Sequence, residues 1–178
     1  STSAARPLMS ARVNLLTYTE DFSNVVWIPV EVTVTSNATT APTGASTAAL
    51  AVPAAVSDNH RVRYGAATTV PGGSAVYSIY VKADGYSKVG LREDQATGAL
   101  AAFDISTGSV IATAGAAVSD PSITSVGGGW FRISATYSGL DPQRFAICVL
   151  PPDYTSGAAP SWTGDGVSGV YIWGAQLE

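Results

Sequence analysis

Apolar and polar residues alternate over several short stretches of this chain, and glycine, proline and serine lie between those stretches. Val30–Thr35, Val76–Lys82 and Trp130–Tyr137 each place apolar side chains at about every second position, which is the period of a half-buried β-strand. Further strands are predicted at residues 13–18, 48–52, 60–64, 89–92, 101–105, 110–111, 122–126 and 145–150. Because no long stretch keeps a helical spacing of apolar positions, the pattern predicts an all-β protein with very little helix.

The end of the chain carries the clearest strand signal. Turn signals at Gly164–Gly166 and Ser168–Gly169 lead into the apolar run Val170–Trp173, and the alternation continues through Ala175 and Leu177. A terminal strand this apolar must close a sheet whose other strands come from far upstream. Some eleven short strands separated by turns predict a two-sheet antiparallel jelly-roll β-sandwich. We expect one such domain over residues 13–178, after a linker or lead-in at residues 1–12.

Composition removes several classes of function. Charged residues make up 12% of the 178 residues, against roughly 25% in average globular domains. The net charge is −4 and the basic residues form no cluster, so nucleic acid is not an expected partner. The apolar runs are shorter than the roughly 20 residues of a membrane helix, so no membrane insertion is expected. The single cysteine, Cys148, lies in an apolar stretch, which predicts a buried, inert thiol.

Six blocks of sequence, in order, resemble a known module. They are Asn14–Trp27 (N-L-L-T-Y-T-E-D-F-S-N-V-V-W), His60, Tyr77–Ala83 (Y-S-I-Y-V-K-A), Phe103–Val110 (F-D-I-S-T-G-S-V), Val126–Ser134 (V-G-G-G-W-F-R-I-S) and Tyr171–Glu178 (Y-I-W-G-A-Q-L-E). This set is similar to a module of bacteriophage tail-fibre and tail-spike proteins that also occurs in prophage-like and gene-transfer particles.

The resemblance implies a fold, a function and a place. The implied fold is a galactose-binding-like jelly roll, related in outline to carbohydrate-binding modules. The implied function is binding of a surface glycan or receptor by the adhesion apparatus of a particle. Residues of this module would then lie on a virion or phage-like tail or spike, at the extracellular surface. Its expected partners are a bacterial cell-surface polysaccharide and other tail or spike chains, with a homotrimer as one arrangement.

Strand alternation turns one set of side chains away from the core. Tyr80 and Lys82 are outward on their predicted strand, Arg132 is outward on another, and Arg63 and Arg92 are outward on two more. If these strands share a sheet, the five side chains form one basic and aromatic patch on an acidic domain, suited to an acidic capsular or lipopolysaccharide glycan. The alternative interpretation is that they are ordinary solvent-facing residues whose stems cover apolar surface.

Four further side chains are candidate ligand contacts. Trp130 follows three glycines and either presents a stacking face or covers the edge of the core. Tyr154 and Trp162 lie in the long loop 151–169 and are candidate loop-tip aromatics. His60 either contacts the ligand or is held by backbone hydrogen bonds at the start of its strand.

No cofactor is expected, with a structural calcium as the one exception to consider. Many jelly-roll sugar-binding modules hold calcium with a carboxylate near the first strand and an aspartate on the last, and here the last strand reads Trp173-Gly174-Ala175 where that aspartate is expected. Glu20, Asp21 and Asp165 are the candidate ligands, but calcium takes about six to eight oxygens. The alternative is that these carboxylates set the geometry of turns.

Enzymatic activity is not predicted. The carboxylates show no pairing of the kind that glycosidases need. A polysaccharide lyase would need a base beside an arginine, and His60, Tyr80 and Arg132 are the residues available for that arrangement. Non-catalytic glycan binding is therefore the first hypothesis, a structural adaptor or oligomerisation knob of a tail or spike is the second, and a depolymerase domain is the third.

Overall fold

A computed structural model describes residues 13–178 of the chain, and the predicted lead-in at residues 1–12 lies outside the described part. The described residues form strands and one short 3₁₀ turn, Pro71–Gly73. The strands are β1 Trp27–Val30, β2 Val32–Thr39, β3 Ala48–Pro53, β4 Ser57–Asp58, β5 Arg61–Tyr64, β6 Ser74–Asp84, β7 Lys88–Glu93, β8 Leu100–Asp104, β9 Ser109–Ala114, β10 Val118–Gly127, β11 Trp130–Ser138, β12 Phe145–Val149, β13 Trp162–Thr163 and β14 Gly169–Leu177.

Two antiparallel sheets of six strands form a sandwich. The first sheet has the order β1-β5-β12-β7-β8-β9, the second has the order β10-β11-β6-β14-β3-β2, and β4 and β13 form a small separate ribbon. The predicted fold class, an all-β two-sheet antiparallel jelly-roll sandwich with very little helix, is confirmed. Within residues 13–178, no helix has the length and apolar character needed to cross a membrane.

A kink at Glu31 divides what the sequence pattern predicted as one strand. Glu31 has a φ of +48°, in the left-handed region that non-glycine residues rarely adopt. The chain therefore leaves the first sheet at Val30 and enters the second sheet at Val32. The Glu31 carbonyl accepts hydrogen bonds from Ala54 N–H, at 2.9 Å, and from the His60 ring, at 2.7 Å between heavy atoms. These two contacts hold the crossing between the sheets.

The first predicted strand, at residues 13–18, is wrong as a regular strand. This segment runs along β14 but makes only scattered bonds, of which one joins Leu15 N–H to Leu177 C=O at 2.8 Å. The Asn14 side chain takes the place of a backbone partner, donating to Ala175 C=O and accepting from Leu177 N–H, each at 3.0 Å. Tyr18 then adopts a φ of +52°, which ends any extended run.

The core between the sheets contains a stacked pair of buried tyrosines. The rings of Tyr77 on β6 and Tyr137 on β11 lie 4.1 Å apart between centroids. The Tyr137 hydroxyl donates a 2.6 Å hydrogen bond to Leu91 C=O on β7, which ties the second sheet to the first. The Tyr77 hydroxyl is buried and has no hydrogen-bond partner. Burial raises the pKa of both phenols well above the ordinary value, so both remain neutral.

The two tyrosines give a matched pair of substitutions. Tyr137→Phe leaves the buried Leu91 carbonyl without its donor, so we expect a loss of about 1–3 kcal/mol in the free energy of unfolding. Tyr77→Phe removes a hydroxyl that makes no bond, so we expect no loss of stability. Urea unfolding of the two variants beside the unmodified protein measures both effects. Equal destabilisation by the two substitutions contradicts the assignment of the intersheet bond.

Candidate functional site

Three neighbouring strands of the second sheet bring most of the predicted ligand-binding face together. In their antiparallel register, Arg132 lies opposite Tyr80, and Lys82 lies opposite both Trp130 and Tyr171. The alternate residues of β6, including Ile79 and Val81, are fully buried in the core, as the alternation predicted. Tyr80, Lys82, Arg132, Trp130 and Tyr171 therefore share the outer side of one sheet, which we call the second-sheet face.

Contacts with neighbouring side chains hold this face in shape. An Arg132 Nη donates to Ser78 Oγ at 2.9 Å and to Gln176 Oε1 at 3.0 Å. The half-buried Tyr80 ring packs against Trp173, with centroids 5.4 Å apart. Trp173 in turn donates from Nε1 to Thr47 Oγ1 at 3.0 Å. Trp173 ends the apolar run of the predicted last strand, and it is buried in a separate small cluster with Ala41, Ala48 and Trp130.

A cleft of about 470 Å³ opens at one end of the second-sheet face. Lys82 and Trp130 line it together with residues 39–42, 44 and 126–128. Trp130 is only 3% exposed, and its Nε1 donates to Thr40 C=O at 3.2 Å. The structure thus shows Trp130 as a cover over the outer side of the sheet that also lines the cleft. Lys82 makes no hydrogen bond or ion pair with any residue of the described range, so its ammonium group is available.

The predicted single patch is not formed, because two of the arginines belong to the other sheet. Arg63 is on β5 and Arg92 is on β7, and both strands belong to the first sheet. Together with Arg61, these two side chains surround Asp94 on the outer side of that sheet. The condition that all the strands share a sheet is therefore not met. The structure has two separate polar faces where the sequence suggested one.

His60 is fully buried and has no free ring nitrogen. Nδ1 lies 2.7 Å from Glu31 C=O and Nε2 lies 2.8 Å from Trp162 C=O. Of the two interpretations of the sequence, the one with backbone hydrogen bonds at the strand start agrees with this geometry. Tyr80 and Arg132 lie on the outer side of the second sheet, so the structure does not assemble the three residues that a lyase would need.

The two aromatic residues of the long loop are packed against the protein. Tyr154 is 5% exposed and its hydroxyl donates to Gly157 C=O at 2.6 Å. It packs with Leu100 and Cys148 on the outer side of the first sheet. The Trp162 ring meets His60 and Tyr86 edge to face. Neither residue is placed as an extended loop tip, and both anchor the loop 151–169.

The three candidate calcium ligands do not form a common site. Asp165 uses Oδ1 to accept the Val167 and Ser168 N–H groups at 2.9 and 2.7 Å, which is the turn geometry given as the alternative. Glu20 and Asp21 line a different cleft of about 350 Å³. Among residues 13–178, no three His, Cys, Asp or Glu side chains are grouped to hold a metal ion. The donor set shown here does not fit the oxygen count of a calcium site.

Sequence analysis did not name three residues of these two faces. Tyr171 was identified only as part of the last predicted strand, and the pattern did not decide which side of that strand points outward. Asp94 and Asn59 organise the arginines of the first sheet, yet they lie outside or at the ends of strands. The sequence alone does not show which basic side chains will lie near a loop carboxylate such as Asp94 in the folded protein.

The Asp165 turn makes a measurable prediction. The Ser168 hydroxyl and then the Val167 N–H lower the pKa of Asp165 from 3.8 to about 2. The stabilisation from these bonds is therefore present above pH 3.8 and is lost as the pH falls through about 2. A carboxyl ¹³C NMR titration should show this midpoint, and Ser168→Ala should move it upward. A titration midpoint near 3.8 in the unmodified protein contradicts the assigned bonds.

Comparison with known proteins gives no family assignment. No protein-family model matches the chain, and no curated protein is significantly similar to it. Among solved structures, the chain is similar to the Clostridium thermocellum N-terminal endo-1,4-β-D-xylanase 10B, CBM22-1–GH10 modules, complexed with xylohexaose, with a TM-score of 0.44 and 17% sequence identity. The match covers 93% of this chain and 26% of that chain. The chain thus spans about a quarter of the xylanase structure, and a similarity this distant assigns no function.

Proposed function

We propose that this protein is a non-catalytic carbohydrate-binding module of a phage-like tail or spike and that it recognises a bacterial cell-surface glycan, such as a capsule or lipopolysaccharide. The observation that carries the proposal is the second-sheet face. Tyr80, Lys82 and Arg132 lie together on its outer side, beside a cleft of about 470 Å³. Sequence analysis grouped these three side chains with Arg63 and Arg92, which lie on the other sheet.

The chemistry of this face suits a sugar. Pyranose rings have an apolar side and a rim of hydroxyl groups, so a binding site needs aromatic surface together with planar polar groups. Tyr80 and Tyr171 supply half-buried aromatic rings with a polar hydroxyl at the tip. Arg132 supplies guanidinium donors, of which Ser78 and Gln176 engage one nitrogen. Ser78 is buried beneath this contact, so Gln176, in the neighbouring row of the sheet, is the further polar side chain at the surface.

The face is also ordered before any ligand arrives. Trp173 packs on Tyr80, and a Cβ at Gly174 would lie 3.2 Å from Tyr80 Cδ2, so the ring lies close over the adjacent strand. Side chains that are already immobilised lose less entropy when a ligand binds. Such preorganisation supports recognition by a rigid sheet face in preference to a mobile loop.

Charge favours an acidic ligand over a neutral one. The chain has a net charge of −4, yet Lys82 has no carboxylate partner among the described residues. Lys82 and Arg132 share this face with one carboxylate, Asp84, which lies against Tyr171, so the face keeps an excess of positive charge. Complementary charge steers encounter with an anionic polymer.

The proposed setting is a particle surface that carries several copies of the module. The sequence resemblance to tail-fibre and tail-spike modules supports this setting. A single shallow face binds weakly, with an expected Kd of about millimolar to micromolar, and several copies on one particle raise the overall avidity. Display of several copies therefore fits a face of this kind.

A glycan array tests the proposed function. The domain is displayed in many copies on beads and compared with Tyr80→Ala, Lys82→Ala and the charge-matched control Lys88→Ala. Lys88 is on the first sheet and donates to Tyr154 C=O at 2.8 Å, so its loss leaves the second-sheet face intact. We expect selective binding to a few acidic glycans, reduced about tenfold or more by the first two substitutions and unchanged by the control.

Two results would contradict this proposal. Equal binding by the Lys82→Ala and Lys88→Ala variants would exclude the second-sheet face. A blank array together with a trimer in solution would favour the structural adaptor of a tail or spike. Thermal melting of each variant shows whether a lost signal comes from unfolding.

A further inference from the structure

Three guanidinium groups converge on one carboxylate on the outer side of the first sheet. Arg61 Nε lies 3.1 Å from Asp94 Oδ2, Arg63 Nη1 lies 3.7 Å from the same oxygen, and Arg92 Nε lies 3.4 Å from Oδ1. The Asp94 side chain is 5% exposed, while the three arginine side chains are 17–29% exposed. Asp94 is thus shielded from solvent, whereas the three arginine side chains are partly accessible to it.

The positive charge of this cluster is not balanced. Asp94 is the one carboxylate of the described residues within ion-pair distance of these arginines. The adjacent Glu93 is fully buried and accepts N–H groups from residues 95–97 and 144. Burial raises the pKa of Glu93, but these hydrogen bonds outweigh burial and lower the pKa overall. The Glu93 carboxylate is therefore bonded to backbone N–H groups and does not pair with the arginines. Two positive charges therefore remain uncompensated.

The thiol beneath the cluster does not supply the missing negative charge. Cys148 lies opposite Arg61 in the strand register and is fully buried. Burial raises the pKa of Cys148 to about 12, although the guanidinium of Arg92 acts in the opposite direction. The thiol stays protonated at neutral pH. Cys148 and Ala146 therefore form a small, neutral floor between the arginines of β5 and β7.

Many donors of the cluster have no acceptor. The Nε atoms of Arg63 and Arg92 are buried and make no hydrogen bond. Arg63 makes no hydrogen bond with any described residue through its other nitrogens either, and its contact with Asp94 is an ion pair at 3.7 Å. Each guanidinium carries five N–H donors in a planar fork that matches the oxygens of a carboxylate or phosphate. Because these two Nε atoms are buried, an acceptor that arrives from solvent meets the Nη donors of the same guanidinium groups, whose side chains are 23–29% exposed.

The remaining contacts fix the arginines in place. Asn59 Oδ1 accepts from Arg61 and Arg92, each at 3.2 Å. The Asn59 side-chain amide donates to Ala159 C=O at 3.1 Å, which ties the cluster to the loop 151–161. The guanidinium groups of Arg61 and Arg92 are therefore held in place before a ligand binds, and Arg63 lies beside them through its 3.7 Å ion pair with Asp94.

We infer that Arg61, Arg63 and Arg92 form an oxyanion-binding site, separate from the second-sheet face, that takes the carboxylate or phosphate group of an acidic saccharide. This site lies on the opposite sheet of the sandwich from the second-sheet face. The two proposals can therefore be tested independently. Asp94 holds the arginines together from below, and the ligand oxyanion occupies the exposed side.

NMR of the ¹⁵N-labelled protein tests this site, because arginine Nε–Hε signals report on each guanidinium directly. The protein is titrated at low ionic strength with oligogalacturonate, with a neutral galactose oligomer of the same length, and with inorganic phosphate. We expect saturable shifts of the Arg63 and Arg92 Nε–Hε signals with oligogalacturonate or phosphate and none with the neutral oligomer. Arg63→Gln should weaken the binding about tenfold, because Arg63 contributes charge and free donors but little to the fold.

Control titrations distinguish oxyanion binding at the arginine cluster from binding at the second-sheet face and from a general effect of salt. Arg132→Gln alters the second-sheet face alone and should leave the Arg63 and Arg92 shifts unchanged. Saturation by phosphate alone assigns the site to phosphate groups, and saturation by oligogalacturonate alone assigns it to carboxylates. Equal shifts with the neutral oligomer, or shifts that follow added sodium chloride alone, overturn the inference. If Arg63→Gln does not fold, the signals of the unmodified protein still decide between these outcomes.

Discussion

The structure depends on β14 having hydrogen-bonding partners along both of its edges. β6 pairs with one edge over the length of the strand, and β3 pairs with the other only as far as Ile172. From that point the irregular segment after residue 13 takes over, with Leu15 bonded to Leu177 and Thr19 bonded to Ala175. Buried backbone groups must be paired, so the two ends of the described chain complete the sheet together. The second-sheet face on β6, β11 and β14 depends on this pairing.

A bulge in β14 explains how far sequence pattern could predict the fold. Strict alternation places Ala175 and Leu177 on the face opposite Ile172, yet all three are buried in the core. The register shifts between Trp173 and Gln176, and Gly174 adopts a φ of +62°, so one extra residue returns the strand end to the core side. Alternation predicted strands and faces correctly within short runs. It could not predict bulges or kinks, because those depend on partners far away in sequence.

The candidate site was predictable in its side chains and not in their grouping. The alternation of side chains between the two sides of a strand correctly predicted that Tyr80, Arg132 and Arg63 point outward. Which strands adjoin depends on packing across the whole sandwich, and that separated Arg63 from the other two. Trp130 and Tyr154 were ambiguous for another reason. An aromatic residue beside glycines or prolines looks exposed in sequence, but its apolar area drives it under the nearest loop.

The two polar faces hold their cations in physically different ways. Lys82 is half-buried and makes no polar contact with a described residue. The arginines of the first sheet have equally half-buried side chains, but two of their Nε atoms are fully buried, and buried charge with unpaired donors opposes stability unless partners are supplied. Asp94 supplies one partner and Asn59 another, which is enough to hold the cluster but not to neutralise it. The arginine cluster of the first sheet therefore still lacks a compensating anion. The second-sheet face instead combines aromatic surface with two cations, Lys82 and Arg132, that make no ion pair with any described residue.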